Sequence, residues 1–133
     1  MKYVLMYVDT PDQLEAVPAE RQQEVYQQIY AWFGEHGAKF TDSGAELQPP
    51  STATTIRSGA APGSEGGEPV VVDGPYSEAK ERIGGFSVID VPDLDAAIAL
   101  VRTWPSLQLP GVSVEIRPMV EDYSQFEEAE ASS

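Results

Sequence analysis

The chain has 133 residues, enough for one domain with a real core, and its 41% apolar content and two Trp point to a globular fold rather than a disordered chain. Its 22 acidic and 8 basic side chains leave a net charge of −14, which excludes nonspecific binding to nucleic acid or to anionic membranes. The absence of Cys excludes disulfides and thiolate metal sites.

The opening KYVLMYV (2–8) is a nearly continuous apolar run rich in β-formers, and it predicts a strand covered on both faces. It is too short for a signal sequence or a membrane span, so a soluble cytoplasmic protein is expected. Thr10-Pro11-Asp12-Gln13 then reads as a helix start, with Thr10 as cap, Pro11 in the first turn and Gln13 at the capping-box position. From Pro18 to Glu35, Val25, Ile29, Trp32 and Phe33 fall on one helical face, flanked by Tyr26 and Tyr30. Gly34 and Gly37 bracket the end of this helix, and Gly37 is the expected left-handed stop.

AKFTDSGAELQPP predicts a short strand with a bulge near Gly44, broken by Pro49-Pro50. The alternating STATTIRS and the run PVVVDG (69–74) form two strands of a hairpin across the Gly/Pro/Ser-rich segment 58–68. GGFSVIDV (84–91) is a further strand. Asp93 caps a second long helix carrying Leu94, Ala97, Ile98 and Val101 on one face, which Trp104-Pro105 ends. VSVEIRP (112–118) alternates, with Val112, Val114 and Ile116 opposite Ser113, Glu115 and Arg117.

This order predicts an α+β fold of the split βαβ type, with helices on one face of an antiparallel sheet and an extra β-hairpin arm. The apolar content of 2–8 and 84–91 leaves a second sheet face to cover, and a second copy of the chain is the simplest cover. After Val120, EDYSQFEEAEASS carries five carboxylates and no cation, so residues 1–120 are read as one domain and 121–133 as a disordered acidic tail.

The segment DGPYSEAKERIGGF (73–86) concentrates polar chemistry. Asp73-Gly74-Pro75 makes a turn in which Asp73 either bonds backbone amides or serves as a carboxylate at a cleft. Tyr76 to Arg82 reads as a short helix with a Glu78–Arg82 pair, and Tyr76 and Lys80 are candidate contacts for a small anionic or carbonyl ligand. Gly84-Gly85 reads as tight backbone packing; neither Walker nor GxGxxG spacing is present. Glu115 and Arg117 share one strand face, either as an ion pair or, with Arg57, as ligand contacts. A lone His36 and dispersed carboxylates predict no metal site, and no nucleophile motif or cofactor signature occurs.

The same segment resembles the signature of the YCII-related superfamily, in the branch named for a DGPF motif, with Tyr76 in place of Phe. ELQPPSTATTIR (46–57), VEIRP (114–118) and KYVLMYV are similar to further family segments, so the resemblance spans about residues 1–120. It implies a ferredoxin-like domain that pairs as a dimeric α/β barrel, and hence a homodimer. It also implies a genomic association with RNA-polymerase sigma factors, and so an accessory role with such a factor as one partner reading. A His–Asp site proposed in the wider superfamily is not carried over, because PAERQQEVYQ (18–27) holds no His and His36 lies at the other end of that helix.

The functional expectation is a dimeric protein binding a small anionic or carbonyl-containing metabolite in the cleft, through Tyr76, Lys80, Arg57 and Arg117. The alternative is an enzyme of the same barrel type, with Asp73 or Glu115 as base and Lys80 or Tyr76 as electrophile.

Overall fold

Alternation along the first strand decides how the domain is layered. In the computed structural model, which describes residues 1–74 and 81–124, β1 (Lys2–Asp9) buries Tyr3 and Leu5, with Val4 and Met6 only half-buried on the opposite face. β1 is central. It pairs antiparallel with β5 (Arg82–Asp90) on one side and with β6 (Ser113–Pro118) on the other. β2 (Phe40–Glu46) adds outside β5, giving the order β2-β5-β1-β6. That is the ferredoxin-like split βαβ arrangement predicted from the sequence.

β3 (Thr54–Arg57) and β4 (Val70–Asp73) form a separate two-stranded arm. The arm is thinly covered: Ile56 and Val71, which face each other across its ladder, are 68% and 65% exposed.

α2 (Ala19–His36) and α3 (Leu94–Val101) supply the other half of the core. Trp32, Ala97, Leu100, Val101 and Trp104 pack with Tyr3, Leu5, Ile89 and Val91. Trp32 is the hub, with ring centroids 5.2 Å from Phe33, 5.5 Å from Phe40 and 5.0 Å from Trp104. Its indole Nε1–H donates to Thr103 Oγ1 at 2.8 Å, so the polar edge of the ring is satisfied inside the core. Asp93 caps α3 as the sequence predicts, its Oδ1 accepting from the Ala96 amide at 2.8 Å.

Three local expectations are corrected. α1 (Pro11–Leu14) forms, but the Thr10 side chain does not cap it; the Thr10 backbone carbonyl takes the Gln13 and Leu14 amides at 3.0 and 3.2 Å. The Thr10 side chain is instead packed against Gly111, where an added Cβ would lie 2.9 Å from the Thr10 Cβ.

Gly37 is not a left-handed stop: its φ is −52° and the chain continues into a 3₁₀ turn, Gly37–Lys39. That turn delivers Phe40 to the aromatic cluster, so tertiary packing overrides the glycine signal.

Arg82 does not close a short helix with Glu78. It is the first residue of β5, and its Nε donates to Asp9 Oδ1 at 2.6 Å across the β1–β5 ladder. Glu78 and the rest of the expected helix, up to Lys80, lie outside the described residues.

Candidate functional site

The site lies where β5 breaks step with β1. Tyr7 is opposite Gly85 and Val8 opposite Ile83, so Gly84 is the extra residue of a β-bulge. On its other edge Gly85 faces Glu46 of β2. Tyr7, Gly85 and Glu46 therefore form one row across three strands and share the helix-facing side of the sheet. Two inter-strand spacings put the Cα atoms of Tyr7 and Glu46 about 10 Å apart. Gly85 puts no side chain between them. Ser87 and Gly44 form the next row, and Asp9 extends the Tyr7 row along β1.

Gly44 is required twice over at this edge. Its φ is +152°, and an added Cβ would lie 2.8 Å from the Phe86 carbonyl oxygen. β2 can approach β5 there only without a side chain.

α2 flanks this part of the sheet and borders, with it, a half-open cavity of about 570 Å³. Tyr7, Ser87, Gly84 and Gly85 are in the floor, Tyr26, Ile29, Tyr30 and Phe33 come from α2, and Trp104 closes one side. The Tyr7 ring lies 4.7 Å from the Trp104 ring, tilted by 33°, and its hydroxyl donates to Ser87 Oγ at 3.0 Å. Ser87 is itself buried. A half-buried hydroxyl pair on an apolar, aromatic background is the arrangement that orients one polar group of a small ligand.

A second cavity of about 270 Å³ adjoins the first, sharing Asp9, Glu46 and Gly84, and is lined further by Arg82 and the Leu47–Pro50 segment. The Asp9–Arg82 ion pair thus stands between the two. Among the described residues no group of three or more His, Cys, Asp or Glu side chains is placed to hold a metal ion.

Burial raises the Tyr7 phenol above its ordinary value of 10.0, against a smaller opposing effect of the hydrogen bond to Ser87. Tyr7 therefore stays a neutral donor throughout the physiological range. Above pH 10.0 the unfolded chain releases this proton while the folded chain keeps it, so stability falls as pH rises toward the folded value. Urea unfolding at about pH 9 and about pH 11 is expected to show a smaller alkaline loss in Tyr7→Phe than in the wild type, because only the latter carries this linkage.

Of the site residues expected from the sequence, Arg57, Asp73, Glu115 and Arg117 are among the described residues. Arg57 and Asp73 sit on the two-stranded arm, at opposite ends of its ladder: Asp73 opposite Thr54 and Arg57 opposite Val70. Glu115 and Arg117 lie on the sheet face away from the helices, paired to each other with Arg117 Nε 2.9 Å from Glu115 Oε2. Both are exposed, and none of these four residues lines either cavity. Tyr76 and Lys80 lie outside the described residues.

The residues that do line the larger cavity were legible only in part. Tyr26 and Tyr30 mark themselves as flanks of the apolar helix face, and Asp9 continues the period-two row Tyr3-Leu5-Tyr7. Gly84-Gly85 read from sequence alone as close packing; the bulge adds that one of the pair makes room.

Residues 1–120 match the YCII-related domain family. Over 75 residues the chain is 37% identical to an uncharacterized protein of Rhizobium meliloti (strain 1021), a match that covers 56% of this chain and 56% of that one. The chain thus spans about half the length of the curated relative it matches. Its backbone is similar to that of 5-chloro-2-hydroxyhydroquinone dehydrochlorinase from Burkholderia phenoliruptrix, solved in complex with 2,5-dihydroxybenzoquinone. That likeness has a TM-score of 0.52 at 14% identity and covers 93% of this chain and 98% of the other. It is a likeness of fold. No helix among the described residues is long and apolar enough to cross a membrane.

Proposed function

The chain belongs to the YCII-related family, and on that footing we propose that it is a dimeric small-molecule-binding protein whose ligand sits between α2 and the sheet, with a carbonyl or hydroxyl group on the Tyr7–Ser87 pair. The observation that carries this reading is the cavity of about 570 Å³ with a hydroxyl pair in its floor. Its volume falls within the range of roughly 300–1,000 Å³ usual for small-molecule sites. Of the two ligand classes expected from the sequence, the carbonyl class is the one it supports. Its described lining holds no Lys or Arg with which to fix an anion. The fold itself accommodates such compounds, since the dehydrochlorinase carries a dihydroxybenzoquinone.

The uncovered face of the sheet supports the dimer reading. Val4, Met6, Val8 and Phe86 lie on the side away from the helices, and Phe86 and Ile83 remain exposed in the single chain. A second copy would remove this apolar surface from water.

Two measurements test the reading. Light scattering is expected to give twice the 14.4 kDa chain mass, and Phe86→Asp to give the single-chain mass; a monomeric wild type overturns the dimer. In a thermal-shift panel of hydroxylated and carbonyl-bearing ring compounds, at least one is expected to raise the wild-type Tm, with a binding constant weakened about ten-fold in Tyr7→Phe, the loss expected for one buried hydrogen bond. A panel in which no compound moves Tm, or in which Tyr7→Phe binds as well as the wild type, overturns the site.

A further inference from the structure

The walls of the larger cavity differ in charge from what a plain carbonyl pocket requires. Its described lining contains two carboxylates, Asp9 and Glu46, and no Lys, Arg or His. Asp9 is already neutralised by Arg82 at 2.6 Å. Glu46 has no ion pair or side-chain hydrogen bond among the described residues, and it stands across Gly85 from Tyr7. To the same lining α2 contributes two tyrosine rings, Tyr26 and Tyr30, packed edge to face at 5.7 Å and, like Glu46, exposed.

A carboxylate without a counter-ion that shares a cavity lining with aromatic rings is complementary to a cation. The negative face of a tyrosine ring attracts a positive nitrogen, and the carboxylate supplies the formal counter-charge. The net charge of −14 adds a field that draws cations toward the protein and repels anions. An anion here would meet Glu46 with no described cation in the lining to offset it.

We infer that the ligand of this cavity carries, besides the carbonyl or hydroxyl group on the Tyr7–Ser87 pair, a positively charged nitrogen that is met by Glu46 and the Tyr26–Tyr30 rings. The inference rests on the cavity being a ligand site, and it adds the ligand's charge class to that reading.

A matched series tests it on the full chain. Benzylamine, benzyl alcohol and benzoate share one ring and differ in charge, and each is titrated at neutral pH and low salt while the amide signals of Gly84, Gly85 and Ser87 are followed by NMR. Benzylamine is expected to bind about ten-fold more tightly than benzyl alcohol, with benzoate weakest, and added salt is expected to weaken the amine selectively. Glu46→Gln is expected to erase the difference between amine and alcohol, and Tyr30→Leu to reduce it by about three-fold. Equal binding of amine and alcohol to the wild type, or an amine preference that survives Glu46→Gln, overturns the cationic assignment and leaves the small-molecule site standing. Absence of any shift at these amides with all three compounds overturns both.

Discussion

Trp32→Ala is expected to cost about 3–5 kcal/mol, a large share of the stability of a domain this size. The ring is 5% exposed and touches four other rings, those of Phe33, His36, Phe40 and Trp104. Its removal leaves a cavity between α2 and the sheet that these neighbours can fill only by leaving their rotamers. It also strips Thr103 Oγ1 of the 2.8 Å hydrogen bond from the indole, although that hydroxyl keeps its own bond to the Leu100 carbonyl at 2.6 Å. Trp32→Phe separates the two effects, restoring most of the volume without the N–H. It is expected to cost about half as much. Urea unfolding with unchanged m-values checks both, and a loss below about 1 kcal/mol for Trp32→Ala would show that this cluster is not the core.

The second large effect is expected at Gly85. An added Cβ would lie 2.7 Å from the Ala45 carbonyl oxygen and 3.3 Å from the Glu46 Cα, both backbone atoms of β2. Neither yields without moving the strand, so Gly85→Val is expected to lose about 2–3 kcal/mol, as overpacking of a tight contact does. The same side chain would enter the gap between Tyr7 and Glu46 and is expected to abolish the ligand binding proposed for this cavity. The neighbouring glycine is the control. At Gly84 an added Cβ would meet Asp9 Oδ2 at 3.5 Å, an ordinary contact. Gly84→Ala is therefore expected to be neutral or slightly stabilising, since Ala has fewer unfolded conformations to lose. Equal effects at the two positions would falsify the bulge geometry. A fully folded Gly85→Val that binds ligand as well as the wild type would remove the cavity from consideration as the site.

The two glycines also show how far the sequence could be read. The dipeptide announces close packing, and at Gly85 that is correct. Which glycine packs and which bulges depends on the register of β5 against β1 and β2, and register is a pairing between strands distant in the chain. The same reason explains Arg82. Local spacing offers it Glu78 four residues away, whereas the β1–β5 ladder offers Asp9, fixed by backbone hydrogen bonds and 73 residues distant.

Period-two and period-3.6 patterns were enough to give the strands, both long helices, the hairpin arm, the Asp93 cap and hence the split βαβ order, because each of those signals is local. They also gave the correct face for Glu115 and Arg117, yet could not tell that this face points away from the cavity. Only the tertiary structure decided where a site could form. It assembles the site from the ends of β1, β2 and β5 and one face of α2, residues that no local spacing connects. The chemistry concentrated in 73–86 drew attention to the right strand. Of the described residues in that segment, the ones that line the larger cavity are Gly84, Gly85 and Phe86, and the two glycines put no side chain between Tyr7 and Glu46.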